Sequence, residues 1–188
     1  MSKKLILIGT EGLPDEVMDF AKVHYRRRFS GYLEVESSGT KISLEPVPFR
    51  SGVKGKQYLA DEILKKGMEL EHGIAVIVIT SVDIYTLGTN YIFGLATHGA
   101  GLVSYARIDP RFWDFVPEIY HYSEEGKDFL FKQIGKVLLH EFGHALSLGH
   151  CDERGCVMRY SNSPIELYNK GEDYCRRCWD RIAHELRE

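Results

Sequence analysis

The chain has 188 residues, of which 44% are hydrophobic and 27% are charged. These proportions are typical of a globular protein with a substantial core, and we predict a single domain over residues 1–188. A formal net charge of −3 and a sequence pI near 6.2 give no electrostatic reason to expect nucleic acid or an anionic membrane as a partner. No apolar run approaches the roughly 18 residues that a membrane-spanning helix needs, so we expect no membrane association.

The N-terminal residues 5–8 predict a buried strand and not a secretory signal. This run holds four apolar residues, whereas the apolar core of a signal sequence has about 7–15. The four cysteines all lie between positions 151 and 178, and a disulfide framework in a secreted domain would spread them over the chain. Both observations favour a cytoplasmic location.

Helices and further strands are predicted to alternate after this first strand. Pro14 opens a helix that continues to about residue 28, and residues 32–36 alternate as a second strand, with residues 42–47 as a candidate extension. Prolines and glycines between positions 46 and 55 predict a loop before a helix over about 58–70. Residues 74–79 form the most apolar run and predict the central strand. This order predicts right-handed crossovers and a mainly parallel sheet.

Residues 91–108 are rich in glycine and then in β-branched and aromatic residues. They predict either a pair of strands or one edge strand entered by a loop. An edge strand presents free backbone N–H and C=O groups, so it is able to bind an extended peptide as an added strand. The simpler interpretation is an edge strand with no such role. An aromatic-rich connection over residues 109–126 follows and is expected to pack under a loop or to form part of a cleft wall.

The next predicted helix, residues 128–148, carries the sequence His140-Glu141-x-x-His144. Two histidines four residues apart lie on one face of a helix, at a spacing suited to one metal ion. A zinc ion in such a site takes two histidine nitrogens and a third ligand, and its fourth position stays open for water. Glu141 would lie beside the metal without binding it, where a carboxylate is able to move the proton of an attacking water.

Two alternatives compete for the third ligand. Either His150 supplies it from just beyond the helix, or a downstream acid does, with Glu166 and Glu172 as the candidates. We favour His150. A continuing helix would rotate it away from His144, so the chain must turn between them, and Gly149 is the residue most able to permit a turn.

Cys151-x4-Cys156 and Cys175-x2-Cys178 have spacings suited to a tetrahedral thiolate site. Four sulfurs that fill all four positions make a closed, structural zinc site. Two disulfides or an iron–sulfur cluster are the alternatives. A structural zinc would brace a C-terminal segment too short to bury much core of its own. Because Cys151 directly follows His150, loss of this site should displace the third ligand.

The histidine motif and the downstream Met158 together resemble the metzincin signature, in which a zinc-binding helix precedes a methionine turn. The four cysteines narrow the resemblance to the archaemetzincins. Ser147 stands where the family signature usually has glycine, so we expect the turn to be displaced toward Gly149. The spacing from Met158 to Cys175 also departs from that of the family by a residue, which a loop would absorb.

The resemblance implies an α/β, metzincin-like fold: a mixed, mainly parallel twisted sheet with an active-site helix and a small zinc-braced C-terminal subdomain. The upper subdomain would span about 1–149 and the lower about 150–188, with the cleft between them. Met158 would form a hydrophobic floor under the metal, and Tyr160 is a candidate donor to the oxyanion. His98 lies in a loop that is expected to border the cleft.

The resemblance further implies a zinc-dependent metallopeptidase that acts on a peptide or protein substrate. We expect a monomer, and aminopeptidase activity is one candidate specificity. Its ligands to a catalytic zinc would be His140, His144 and His150, and a second zinc would be structural. Glu141 would be the general base. The alternative is a latent or non-proteolytic zinc-binding protein that binds a peptide or partner in the cleft. Glu141 favours the enzyme, because metal binding alone needs no base there.

Overall fold

The computed structural model describes residues 3–113 and 124–188. Over these ranges, strands and helices alternate as the sequence predicts. The strands are β1 (Lys3–Gly9), β2 (Leu33–Ser37), β3 (Phe49–Gly52), β4 (Gly55–Leu59), β5 (Ala75–Thr80), β6 (Asp83–Tyr85), β7 (Gly94–Thr97) and β8 (Ala100–Ser104). The α-helices are α1 (Asp15–Arg28), α2 (Ala60–Leu70), α3 (Glu124–Ala145), α4 (Pro164–Asn169) and α5 (Arg176–Arg187), with a 3₁₀ turn over Pro110–Phe112.

The main sheet has the strand order β2-β1-β5-β8-β7. The first four strands are parallel, and β7 joins β8 antiparallel at the edge. Helices α1 and α3 cover one face of this sheet and α2 covers the other, which is why the central strand β5 is buried along its whole length. The predicted mixed, mainly parallel α/β fold is therefore confirmed, with β5 as the predicted central strand.

Two local predictions are wrong. The expected loop before α2 is a β-hairpin of β3 and β4, and β4 pairs with β6 in a second, three-stranded sheet. Gly55, at a φ of 109°, permits the tight turn of this hairpin. Residues 42–47 do not extend β2; within the described residues they join a strand only through an isolated bridge from Ile42 to Thr10. Pro46 has no backbone N–H to give to a ladder.

Helix α3, which carries the histidine motif, begins earlier and ends three residues sooner than the predicted 128–148. The glycine-rich segment before it is the strand pair β7 and β8, the first of the two alternatives. Most of the aromatic connection predicted over 109–126, with Phe115, Tyr120 and Tyr122, lies outside the described residues. Among the helices of the described ranges, none is long and apolar enough to cross a membrane.

Residues after 150 pack onto the same core as the sheet. Ile182 and Leu186 of α5 belong to one buried cluster with Leu5 and Leu7 of β1. Tyr174 also donates from its hydroxyl to the Leu139 carbonyl of α3, at 2.5 Å. The division into an upper and a lower subdomain stays a prediction.

Candidate metal centre

Helix α3 is a buried platform for the first two histidines. Every residue from Gln133 to Gly143 is buried, and His140 is 8% exposed. The Nε2 atoms of His140 and His144 lie 3.1 Å apart. Tetrahedral zinc with Zn–N bonds of about 2.0–2.1 Å separates two ligand nitrogens by about 3.3 Å. The two imidazoles are therefore spaced to share one ion.

The structure brings His150 to the same point. One ring nitrogen from each of His140, His144 and His150 lies within 4.8 Å of the others. The alternative acids are engaged elsewhere: Glu166 accepts from the backbone N–H of residue 162, and Glu172 pairs with a lysine at 2.6 Å. Of the two alternatives for the third position, the geometry favours the histidine.

The turn that delivers His150 occurs at Ser147, which has a φ of 63°, and not at Gly149 as predicted. The N–H of Leu148 donates to the Gly143 carbonyl at 2.9 Å, and the N–H of Ser147 donates to the His144 carbonyl at 2.8 Å. These two bonds form a Schellman motif, whose left-handed position falls on Ser147 whatever residue stands there. The hydroxyl of Ser147 is hydrogen-bonded to a ring nitrogen of His98 at 2.9 Å. As expected, His98 lines the cleft.

Backbone carbonyls orient the first two imidazoles. Nδ1–H of His140 donates to the Val157 carbonyl at 2.8 Å, and Nδ1–H of His144 donates to the Leu148 carbonyl at 2.7 Å. A carbonyl only accepts, so each bond leaves the Nε2 lone pair facing the shared point. Burial lowers the pKa of all three histidines, which keeps them in the neutral form that binds metal.

Glu141 is buried between α3 and the edge strand. A Cβ at Gly94 of β7 would overlap its carboxylate, and a Cβ at Gly101 of β8 would lie 3.2 Å from its Cβ. Burial raises the pKa of Glu141 to about 8, and the charge of Lys170 opposes that rise. No local pattern in the sequence indicates that Gly94 makes room for this side chain.

Met158 lies fully buried and packs against α3. A Cβ at Gly143 would overlap its sulfur, which accounts for a glycine in a buried helix. Tyr160 is 60% exposed, and its ring lies 5.0 Å from that of His150. Tyr160 therefore borders the histidine cluster, and Met158 packs against the helix that carries two of its members.

The four cysteines form a second cluster, with all four sulfurs within 4.8 Å of one another. The sulfurs of Cys151 and Cys175 are 3.8 Å apart, and all four thiols are free. A disulfide bond measures about 2.05 Å, whereas tetrahedral zinc with Zn–S bonds of about 2.3 Å separates two sulfurs by about 3.8 Å. Arg177 donates to the sulfur of Cys151 at 3.2 Å, and the N–H of Cys175 donates to that of Cys156 at 3.3 Å. The spacing fits a metal and not two disulfides.

The cleft above the histidines has a volume of about 790 Å³ and is lined by β7, α3 and residues 160–162. Lys170 also lines it, although no pattern in the sequence indicated this residue. Its Nζ donates to the Arg159 carbonyl at 3.1 Å and lies 3.3 Å from Nδ1 of His140. Burial lowers the pKa of Lys170 to about 8, and Glu141 opposes this shift. The buried lysine thus adds a positive charge beside the histidine cluster.

Comparison with known proteins identifies the family. A model of peptidase family M54 matches residues 55–184. The archaemetzincin of Methanopyrus kandleri is 33% identical over 192 aligned positions that cover 98% of both chains. That of Methanocaldococcus jannaschii is 33% identical over 170 positions, covering 89% of this chain and 86% of its own.

Solved structures agree on the fold. The crystal structure of the Methanopyrus kandleri archaemetzincin superimposes with a TM-score of 0.78 at 28% identity and covers 100% of this chain and 97% of its own. That of the Archaeoglobus fulgidus archaemetzincin, a complex with malonate, gives a TM-score of 0.74 at 24% identity, covering 95% and 99%. The chain therefore belongs to peptidase family M54, the archaemetzincins, and is a zinc metallopeptidase.

Proposed function

We propose that this metallopeptidase holds an extended peptide along β7 and hydrolyses it with Glu141 as the general base. The observation that carries the proposal is the position of Glu141, which contacts Gly94 of the edge strand and directly follows His140. One carboxylate thus lies between the strand that would hold a peptide bond and the imidazoles that would hold the metal.

Strand β7 is suited to bind an extended substrate. Among the described residues it is paired with β8 on one side, and its residues Gly94–Thr97 line the cleft. Unpaired N–H and C=O groups on the other side are able to take up a peptide as an additional strand. Such backbone bonding depends little on the side chains of the substrate.

The proposed chemistry divides between the metal and this carboxylate. His140, His144 and His150 would hold the zinc, which would supply Lewis acidity toward a water molecule and a carbonyl group. Glu141 accepts the proton of the attacking water and donates it to the departing amine. Tyr160, beside the ring of His150, is the proposed hydroxyl donor to the developing oxyanion.

The proposal includes two zinc ions for each chain, one at the histidines and one at the cysteines. Its support is the nitrogen and sulfur spacings, which fit tetrahedral zinc at both clusters. Elemental analysis of the purified protein should give two zinc ions per chain. Aminopeptidase activity, a cytoplasmic location and a monomeric state stay predictions.

The test is cleavage of an unbiased peptide mixture by the zinc-loaded protein, read by mass spectrometry, beside Glu141→Gln with matched zinc content. We expect cuts with the parent and a loss of about 10²–10⁴-fold with the variant, the range typical of general base catalysis. Acetylated and free N-termini in the mixture distinguish aminopeptidase from other cleavage. Absence of cuts from both proteins at full zinc occupancy would favour the latent or non-proteolytic alternative.

A further inference from the structure

The ammonium group of Lys170 has donors that the protein does not use. The side chain is 7% exposed and lines the cleft. Of its three N–H groups, one donates to the Arg159 carbonyl. The nearby Nδ1 of His140 is itself a donor, to the Val157 carbonyl, so it does not accept from the ammonium. Within the described ranges no carboxylate pairs with Nζ, and a buried cation with free donors is suited to bind an anion.

A hydrogen bond between the two walls crosses the cleft, and we refer to this bridge as the closure. The hydroxyl of Tyr91, which precedes β7, donates to the Asn162 carbonyl on the opposite wall at 3.1 Å. The Tyr91 ring is held in place by the guanidinium of Arg107, 4.3 Å from its centroid. Arg107 in turn forms two bonds of 2.8 Å with the buried Asp83. The closure therefore rests on a fixed side chain.

The direction of β7 decides which end of a peptide meets this closure. Antiparallel pairs outnumber parallel pairs roughly two- to three-fold and are slightly more stable, so an added strand is expected to run antiparallel to β7. Such a strand runs from Thr97 toward Gly94, and Gly94 is the end nearer to Tyr91 in the chain. The carboxyl side of the bound peptide consequently points toward the bridge from Tyr91 to Asn162.

From these observations, and resting on the proposed function, we propose that the cleft takes the carboxyl-terminal end of a peptide. Lys170 binds the terminal α-carboxylate, and the bridge from Tyr91 to Asn162 limits how far the chain extends beyond the cut. The enzyme then releases short carboxyl-terminal fragments. The lining offers less to an amino terminus, because Glu141 is its one carboxylate among the described residues and the proposed mechanism uses it.

The test uses peptides of one sequence as the free acid and as the C-terminal amide, each with a free and an acetylated N-terminus. For the parent we expect kcat/KM at least tenfold higher for the free acid, no effect of acetylation, and a released fragment of constant length. Lys170→Met should bring the ratio of kcat/KM for the free acid to kcat/KM for the amide near one. Lys170→Arg should keep most of the preference for the free acid. Tyr91→Phe should raise cleavage of peptides that are extended at the carboxyl end, relative to the short ones.

Each ratio is internal to one variant, so a partly folded preparation does not alter it. Equal rates for acid and amide in the parent would overturn the inference and leave the proposed function standing. So would an unchanged ratio in Lys170→Met, or a preference that follows a glutamate side chain in an amidated peptide. If no peptide is cut, calorimetry measures the binding of the same acid and amide peptides to zinc-loaded Glu141→Gln. Tighter binding of the acid supports the carboxylate site at Lys170, and equal affinities reject it.

Discussion

The histidine cluster and the cysteine cluster differ in how the chain builds them. The histidine cluster draws two members from one buried helix, α3, which holds their spacing through its own backbone bonds. The cysteine cluster draws its members from the loop after α3 and from the start of α5. A helix packed on a sheet places its side chains without a metal, whereas short loops with little core of their own depend on one. The cysteine cluster should therefore depend more on zinc for its fold.

The two clusters also share a segment of chain, residues 150–158. We infer that the histidine cluster depends on the cysteine cluster more than the cysteine cluster depends on the histidines. His150 and Cys151 are neighbours, and the carbonyl that orients His140 belongs to Val157, next to Cys156. The cysteine cluster thus fixes one histidine and the orientation of another. The adjacency of His150 and Cys151 acts in both directions, but among the described residues none of the three histidines is hydrogen-bonded to a cysteine.

Removal of a cysteine is the largest test of this asymmetry. We expect Cys178→Ser to lose both of the proposed zinc ions and to lose activity. Its free energy of unfolding should fall by at least about 3 kcal/mol, since structural zinc binds with roughly 10–16 kcal/mol. Elemental analysis and denaturant unfolding check this. Retention of one zinc together with activity would show that the clusters are independent.

Removal of a histidine should have a narrower effect. His144→Ala is expected to lose one zinc and all cleavage, while the cysteine zinc stays. Beyond the stabilisation that the lost zinc itself supplied, the free energy of unfolding should fall by only about 1–2 kcal/mol for the lost bond to the Leu148 carbonyl. The same two measurements apply. Loss of both ions here would reverse the direction of dependence that we infer.

A change at the contact between Met158 and α3 should have a smaller effect on stability. This contact connects the helix of the histidine cluster to the segment that carries Cys151 and Cys156. In Gly143→Ala, the better helix propensity of alanine is worth about 1 kcal/mol, but the new Cβ overlaps the buried sulfur of Met158, and overpacking costs about 1–3 kcal/mol. We expect net destabilisation and weaker zinc binding at the histidines. Gly149→Ala is the matched control, because its Cβ would meet nothing within 4 Å. Equal stability of the two variants would remove Met158 as a support of the helix.

The sequence predicts the parts of both clusters that depend on short spacings. Residues four apart on a helix, and cysteine pairs separated by two or four residues, have geometry that local structure largely sets. The contacts from Lys170 to His140 and from Tyr91 to Asn162 join residues 30 and 71 positions apart, and no local pattern indicates them. The sequence does not predict the β3–β4 hairpin, because the prolines just before it and the glycines within it are equally typical of a loop. The glycine inside the helical motif was a usable signal, since it lowers helix propensity and so suggests a close contact.

The turn between the clusters, at Ser147, gives the smallest expected effect. A left-handed serine costs about 1 kcal/mol relative to glycine, and its hydrogen bond to His98 returns about the same amount. Ser147→Gly should therefore change the free energy of unfolding by less than about 0.5 kcal/mol. Ser147→Ala keeps the strain and loses the bond, so it should cost about 1 kcal/mol.

Replacing His98 with alanine should then be harmless in the Ser147→Gly background and destabilising in the parent, which a double-mutant cycle measures. If the cycle shows no coupling, the bond does not offset the strain, and Ser147→Gly should be the more stable protein.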